Sequence, residues 1–280
     1  MAASPAPLRS IDVGAIKITY LPDGVAHFTL GVFPDTSHEC WARHAEQTTD
    51  GRWLCSIGSF LVESGDEKIL VDLGFGKTEL DIPDFVTATS GRLLDSLSQA
   101  GVKPDEITTI VYTHMHADHT GWTATGDHLT FDRARHLAGP GEVEYWSANA
   151  EAPFSPGAQL AFATHFDESE DGQRLAPGVD IMQTPGHTPG HQCVVVSSGT
   201  DRAIILGDAV HCSAQLEEPD MTFMYDVDPV RARQWREELL AQLENSTTTA
   251  GACHFSGSAF GRVLVGQGRR YWSSLDTYRS

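Results

Sequence analysis

Three histidines and one aspartate lie within six residues of one another near the middle of the chain. His114, His116, Asp118 and His119 follow the apolar, β-branched run 108–112, which predicts a buried strand. Imidazole and carboxylate groups are ligands that Zn²⁺ accepts at catalytic sites. Alternate residues such as His114 and His116 can face one side of an extended segment, whereas Asp118 and His119 need the chain to turn. The spacing therefore predicts a metal site that could serve a second ion.

Three later stretches share a design in which an apolar run stops at a residue that can bind a metal. They end at His187, Asp208 and His254. A small residue precedes each of them, which lets the backbone pass close to a crowded site. With the segment 114–119, the chain offers five imidazoles and two carboxylates. One tetrahedral ion needs fewer groups, so this set suits two ions that share a bridging ligand.

Several residues adjoin these positions. His191 is expected to support the site through a hydrogen bond, with direct ligation as the alternative. His211, Cys212 and Cys253 lie beside predicted ligands, but the seven residues already fill the site, so Cys253 is expected to point into the core. Four aromatic residues are candidates for the wall of an apolar pocket, with core packing as the alternative for each: Trp41, Trp53, Trp122 and Phe223.

Length, charge and cysteine content limit the classes of protein. The chain has 280 residues, of which 40% are hydrophobic, which is enough for a sizeable core. A formal charge of −19 repels nucleic acid and anionic membranes, although bound metals would still attract a small anionic substrate. Five cysteines at scattered spacings argue against a disulfide framework. Without a transmembrane or signal pattern, we expect a cytoplasmic protein.

Strand patterns surround the predicted ligands in both halves of the chain. Residues 1–10 are expected to form a loose tail. A strand over 16–20, a turn at 21–24 and a partner strand over 25–32 predict a hairpin. A second hairpin is predicted over 59–72. The segment 34–55 is polar and aromatic without a clear period, so we expect an insertion that rims a pocket.

Helices are predicted at three places. Ser90 is the expected N-cap of the first, a short helix is expected at 142–147, and Asp228 with Pro229 begins the clearest one. The segment 148–177 has no assignment beyond a lid or mobile loop. Neither a repeat nor a linker divides the chain, so we expect one domain over 1–280, with two sheets covered by helices.

The ligand pattern resembles that of the metallo-β-lactamase superfamily. Residues 114–119 match its H-x-H-x-D-H signature, and the three later positions match its remaining ligands in order and local context. This resemblance implies an α/β fold, an αββα sandwich of two mixed β-sheets flanked by helices, with the metals at one edge. It also implies two Zn²⁺, with Mn²⁺ or Fe²⁺ as alternatives. The implied ligands are His114, His116 and His187 for the first metal, Asp118, His119 and His254 for the second, and Asp208 as the bridge.

The resemblance extends to one branch of that superfamily. The flavodiiron branch carries Glu where His116 stands, and the true β-lactamases lack a bridging aspartate at the position of Asp208. The nuclease branches are larger or carry additional segments, and the glyoxalase II branch has a helical C-terminal domain. Residues 118–122, 225–229 and 254–262 resemble the branch that contains N-acyl homoserine lactonases and methyl parathion hydrolase.

This branch implies a binuclear zinc-dependent hydrolase in which a metal-bridging hydroxide attacks a lactone or carboxylic ester. Asp118, Asp208 and Tyr225 are the expected catalytic residues, with Asp118 as a proton shuttle and Tyr225 as a donor to the substrate oxygen; a packed aromatic ring is the alternative for Tyr225. A phosphotriester or phosphodiester hydrolase is the alternative function. An Fe-dependent oxidoreductase and a non-catalytic metal-binding protein are further alternatives. The expected partner is a small-molecule ester or lactone, not nucleic acid or membrane, and a homodimer is left open.

Overall fold

A computed structural model describes residues 3–275, which fold into strands connected by loops and short helices. The first twelve strands are β1 (Arg9–Val13), β2 (Ile16–Thr29), β3 (Thr48–Thr49), β4 (Arg52–Ser64), β5 (Glu67–Val71), β6 (Glu79–Ile82), β7 (Val86–Ser90), β8 (Thr109–Val111), β9 (Ala124–Thr125), β10 (His128–Leu129), β11 (Arg135–Ala138) and β12 (Phe166–Glu168). The later strands are β13 (Arg174–Ala176), β14 (Val179–Gln183), β15 (Gln192–Ser198), β16 (Asp201–Ile205), β17 (Thr249–Gly251), β18 (Phe260–Gly266) and β19 (Arg269–Ser274). The α-helices are α1 (His38–Arg43), α2 (Leu93–Gln99), α3 (Ala117–Thr120), α4 (Glu142–Ala148), α5 (Ala214–Glu217) and α6 (Pro229–Leu243).

The strands form two mixed sheets. The first runs β12-β11-β8-β5-β4-β2-β7-β6, with β1 paired to β2 and β3 to β4. Within it β8 is parallel to β5 and β11, whereas β4 is antiparallel to β2 and β5. The second runs from β13 to β19 in chain order, with β16 parallel to β17. The paired strands β9 and β10 lie apart from both.

Side chains that point alternately to the two faces of each strand connect four layers of helices and sheets. In β5, Ile69 and Val71 belong to the apolar core between the sheets, whereas Leu70 packs with Leu93 and Leu97 of α2 on the outside. Successive side chains of a strand point to opposite faces, so one apolar run can serve both layers.

The second sheet repeats this arrangement. Val194 and Ile205 face the core between the sheets, whereas Ile204 packs with Leu239 and Leu243 of α6. The predicted start of α6 is confirmed, because the Asp228 side chain accepts a hydrogen bond from the Arg231 N–H, as an N-cap does. The order of layers is therefore helix, sheet, sheet, helix, as predicted.

The predicted hairpin at 16–32 is wrong. The structure has one continuous strand, β2, which crosses the supposed turn with an irregular register between Pro22 and Gly24. The Asp23 carboxylate accepts bonds from the Trp122 indole N–H and from backbone N–H groups that include those of Phe75 and Leu93. A residue typical of turns serves here to join three other segments, which local sequence patterns do not reveal.

Other boundaries also differ. The first strand begins at Arg9, inside the tail expected over 1–10, of which Met1 and Ala2 lie outside the described residues. Ser90 ends β7, and the N-cap of α2 is Arg92. The segment 34–55 contains α1, β3 and the start of β4, and 148–177 contains a 3₁₀-helix (Gly157–His165) with β12 and β13. Within residues 3–275, no helix is long and apolar enough to cross a membrane.

Candidate metal centre

Seven side chains predicted as metal ligands come from the ends of strands at one edge of the two sheets. His114 and His116 follow β8, and α3 carries Asp118 and His119. The others lie on loops of the second sheet: His187 between β14 and β15, Asp208 after β16, and His254 after β17. We call these seven residues the ligand cluster.

The first part of the ligand cluster brings three imidazole rings to one point. Nδ1 of His116 lies 2.9 Å from Nε2 of His114 and 3.0 Å from Nε2 of His187. Three ring nitrogens this close cannot all carry a proton, and a shared hydrogen can satisfy only one pair. A cation at their centre would use all three lone pairs, so the donor set fits a metal ion of the Zn²⁺ type.

The outer nitrogens of four rings in the ligand cluster are held by acceptors. Nδ1 of His187 bonds to Asp226 at 2.8 Å, and Nδ1 of His119 bonds to Asp72 at 2.9 Å. Nδ1 of His254 donates to the Ser56 carbonyl oxygen at 2.8 Å, and Nδ1 of His114 bonds to the Thr113 hydroxyl at 3.1 Å. An acceptor at the outer nitrogen keeps the proton there, so the inward nitrogen presents a lone pair.

Asp208 joins the two parts of the ligand cluster. Its Oδ2 lies 3.5 Å from Nε2 of His187, and its Oδ1 lies 3.3 Å from Nε2 of His119 and 3.1 Å from Nε2 of His254. Oδ2 also lies 3.2 Å from Nε2 of His254, so the carboxylate lies between the two groups of imidazoles, with both oxygens close to His254. Asp118 lies at the rim of the second group, with Oδ2 3.7 Å from Nε2 of His254 and a side chain that is 15% exposed.

Cys253 is buried in the core, as predicted, but its sulfur also lies 3.8 Å from Oδ1 of Asp208. Its Sγ forms a compact donor group with His119, Asp208 and His254. His191 has the supporting role predicted for it, because its Nε2 accepts the backbone N–H of Asp208 at 3.0 Å.

The electrostatics of the site favour positive charge at its centre. Burial would raise the pKa of Asp208, but the imidazoles of His254 and His119 outweigh it and hold that pKa well below its usual value. Burial opposes charge on His119 and His254, yet Asp208 raises the pKa of both rings well above normal. Burial lowers the pKa of His114 and His116, which stay neutral and able to bind a metal.

Glu142, at the start of α4, ties two ligand loops together although no sequence pattern indicated it. Its buried carboxylate accepts N–H bonds from Met115 at 2.9 Å, Gly190 at 2.8 Å and the Trp146 indole at 3.0 Å. Burial raises its pKa, and these donors stabilise the charged form. The loop 114–116 and the loop 187–190 therefore share one support.

A narrow cleft opens onto the ligand cluster. Its polar wall consists of His116, Asp118, Asp208, His211 and His254, and its apolar wall of Phe28, Trp53, Cys55, Phe154 and Phe223. Trp53 and Phe223 thus line a pocket, which is the first of the two roles predicted for them. Trp41 packs in the same apolar cluster as Trp53 and Phe223 without lining the cavity, and Trp122 packs in the core beside α2. Tyr225 is half-buried beside Phe154 and Phe223, and it does not line this cavity.

Sequence reasoning missed Asp72, Asp226, Glu142, Phe28 and Phe154. Asp72 had a local signal, because it ends the apolar strand β5 in the way that Asp208 follows β16. It adopts a left-handed φ of 65°, and its carboxylate accepts the N–H and hydroxyl of Thr113 as well as the His119 ring. Asp226 lies within the family-like segment 225–229, but its contact with His187 has no local signature.

Comparison with known proteins gives consistent results. The family described as "Metallo-beta-lactamase superfamily" matches residues 52–254. An N-acyl homoserine lactonase of Bacillus thuringiensis is 23% identical over 188 residues, which cover 61% of this chain and 70% of that protein. The dizinc quorum-quenching lactonase AidC, solved with a product, superposes with a TM-score of 0.83 at 23% identity, covering 96% of this chain and 97% of its own. The hydrolase AbOPH gives 0.82 at 24% identity, with coverages of 96% and 98%.

Proposed function

The chain belongs to the metallo-beta-lactamase superfamily, and we propose that it is a binuclear zinc hydrolase of lactones and carboxylic esters. The predicted family, the αββα fold and the general class of metal-dependent hydrolase are confirmed. An N-acyl homoserine lactone is the first substrate to test, because the relative from Bacillus thuringiensis is named as a lactonase for that class.

One observation carries the proposal. The inward nitrogens of the histidine rings converge, while the outer nitrogens of four of these rings are bonded to acceptors. His114, His116 and His187 are the inferred ligands of the first ion, and Asp118, His119 and His254 those of the second. Asp208, whose carboxylate lies between the two groups, is the inferred bridge. Bound there, two Zn²⁺ supply a Lewis acid for the substrate oxygen and lower the pKa of coordinated water to roughly 7.

Asp118 is the inferred proton carrier. Its carboxylate lies at the cavity wall and is partly exposed, unlike the nearly buried carboxylate of Asp208. It can therefore accept a proton as the nucleophile forms and return it to the leaving alkoxide. Tyr225 stays a predicted donor, which requires its hydroxyl to reach the substrate from behind Phe154 and Phe223.

The lining of the cavity favours a substrate that combines a polar carbonyl with an apolar group. Phe28, Trp53, Phe154 and Phe223 form one wall, and burying an acyl chain against them stabilises binding by about 25 cal/mol for each Å² of apolar surface. The polar wall would lie against the ester or lactone carbonyl. A neutral phosphotriester would satisfy the same wall, so it is the competing substrate in the test.

The test compares turnover of an N-hexanoyl homoserine lactone, an aryl ester and a phosphotriester by zinc-loaded protein, with metal content measured by mass spectrometry. We expect about two zinc ions per chain, and lactone or ester hydrolysis faster than phosphotriester hydrolysis. His116→Ala should abolish turnover and lower the metal content. His128→Ala is the matched control, because that side chain is 72% exposed and belongs to none of the compact donor groups.

Three results would contradict the proposal. Faster phosphotriester hydrolysis would assign the alternative function. Bound iron with redox-active spectra would support the oxidoreductase. Two zinc ions with no hydrolysis of any of the three substrates would support a binding protein.

A further inference from the structure

We propose that Cys40, His44 and Glu218 bind a further metal ion of the Zn²⁺ type, which fastens α1 to α5. One donor atom of each side chain, a sulfur, a ring nitrogen and a carboxylate oxygen, lies within 4.8 Å of the other two. None of these residues belongs to the ligand cluster, so the inference goes beyond the proposed function and does not depend on it. We call the three residues the helix-end site.

The first argument is the way in which the fold brings these donors together. Cys40 lies in α1, and His44, four residues later, is the C-cap of that helix. Residues four apart lie on the same face of a helix, so both side chains can reach one ion. Glu218 is the C-cap of α5 and completes the group from a distant part of the chain. Thiolate, imidazole and carboxylate are the ligand types that Zn²⁺ accepts.

The second argument is a buried nitrogen without a partner. The His44 side chain is buried, and its Nε2 has no hydrogen-bond partner among the described residues. Its Nδ1 faces the Glu46 carboxylate at 3.9 Å, which favours the ring proton on Nδ1 and leaves a lone pair on Nε2. A buried polar atom without a partner costs free energy of folding, and a bound cation would supply the partner.

The third argument is access. His44 lies on the wall of an open cleft together with Glu46, Gln47 and Glu217. Gln47 also has a buried side-chain oxygen, Oε1, without a hydrogen-bond partner. This cleft shares no lining residue with the cavity at the ligand cluster. An ion can therefore reach the helix-end site directly from solvent, and the proton that the Cys40 thiol releases on binding can leave by the same route.

Arg43 competes with the ion for Glu218. Its guanidinium pairs with Oε1 of that carboxylate, but the two side chains are 40% and 37% exposed, and an exposed pair of this kind adds little stability. Burial and the Glu218 carboxylate also raise the pKa of the Cys40 thiol, which opposes the thiolate that a metal needs. We therefore expect the helix-end site to bind zinc more weakly than the ligand cluster. Gel filtration should leave about two zinc ions on each chain, and the further ion should bind only when zinc is added.

The experiment titrates Co²⁺ into the whole chain after it has been loaded with zinc and freed of excess metal. Co²⁺ binds the same ligand types as Zn²⁺ but absorbs light, and a thiolate ligand adds a sulfur-to-cobalt charge-transfer band in the near ultraviolet. We expect one further equivalent that shows this band. Added Zn²⁺ should displace it, and zinc at about 100 times its Kd should raise the melting temperature by about 5 °C.

Two variants remove the proposed ligands. Cys40→Ser should lose the charge-transfer band, and His44→Gln should lose the further equivalent. Cys212→Ser is the matched control for the first, since Cys212 is buried in the same apolar cluster as Cys40 but belongs to none of the donor groups found in residues 3–275. His38→Gln is the control for the second, because His38 is exposed on the same helix.

A third variant removes the competitor. Arg43→Gln should tighten Co²⁺ binding, because Glu218 is then free to bind the ion. This substitution lies at the surface and leaves the core intact, so it tests the helix-end site even if Cys40→Ser folds poorly.

A titration without a charge-transfer band, or a band that survives in Cys40→Ser, would overturn the proposal. A band that is lost in Cys253→Ser instead would assign the sulfur to the ligand cluster, and unchanged binding in Arg43→Gln would remove Glu218 from the helix-end site; either result would overturn it as well. Because the band reports a sulfur ligand, each of these outcomes can be read whether or not the protein hydrolyses a lactone or an ester.

Discussion

One carboxylate oxygen of Asp226 lies 2.8 Å from Nδ1 of His187, on the side of the ring opposite the ligand cluster. The other oxygen accepts the backbone N–H of Phe223 at 3.2 Å and lies 3.8 Å from Arg236. The carboxylate therefore has its own supports, and it fixes both the orientation of His187 and the nitrogen that carries the proton.

Asp226→Asn should weaken zinc binding about 10- to 100-fold, because the amide offers one acceptor where the carboxylate offered two. Zinc affinity is measured by competition with a chromophoric chelator. Asp167→Asn is the control, since its side chain is 65% exposed in a surface ion pair. Equal zinc affinity in both variants would show that Asp226 does not support the metal site.

Asp208→Asn should weaken zinc binding at both positions and slow turnover by orders of magnitude. The carboxylate of Asp208 contacts imidazoles of both groups, and an amide can offer an anionic oxygen to neither. Zinc is titrated into the metal-free variant while activity and melting temperature are followed. Two tight equivalents with near-normal turnover would contradict the bridging role.

Cys253→Ser and Cys212→Ser should each keep two zinc equivalents and at least part of the activity. The two thiols differ in position: Sγ of Cys253 lies 3.8 Å from Asp208, whereas Cys212 packs in an apolar cluster with Trp53. Cys212→Ser is thus the control for the change of sulfur to oxygen. Loss of one zinc equivalent in Cys253→Ser alone would make Cys253 a ligand and displace one of the seven residues.

Glu142→Gln should destabilise the protein by about 1–3 kcal/mol and weaken metal binding, because a side-chain NH₂ would face N–H donors in a buried site. The measurements are chemical denaturation and zinc content. Glu144→Gln is the control, since Glu144 is exposed on the same helix. If the two variants were equally stable, Glu142 would not be the support that joins the loops of Met115 and Gly190.

Cys193 and Cys212 should not react with Ellman's reagent at pH 8 in the folded protein. Burial raises the pKa of each thiol to about 12, so at pH 8 only about one molecule in 10⁴ carries the reactive thiolate. Because the pKa of each thiol is raised, the thiols become reactive only at strongly alkaline pH or after unfolding. All five cysteines should react in guanidinium chloride. Rapid labelling of Cys193 under native conditions would show that its segment opens.

The sequence by itself determined the features that are encoded within a few residues. The donor types at 114–119 and at the three later strand ends are local, and so is the start of α6 at Asp228 and Pro229. The continuous apolar runs of β5 and β16 likewise indicate strands that are covered on both faces, because a strand places successive side chains on opposite faces.

Only the tertiary structure decided which distant groups meet. Asp72 supports His119 across 47 positions, Asp226 supports His187 across 39, and the Ser56 carbonyl supports His254 across 198. No spacing rule connects residues this far apart, since their contact depends on the register and stacking of two complete sheets. The same reason explains why Pro22–Gly24 lies inside a strand and why His211 faces a cavity: neighbours in space, absent from the local sequence, determine both.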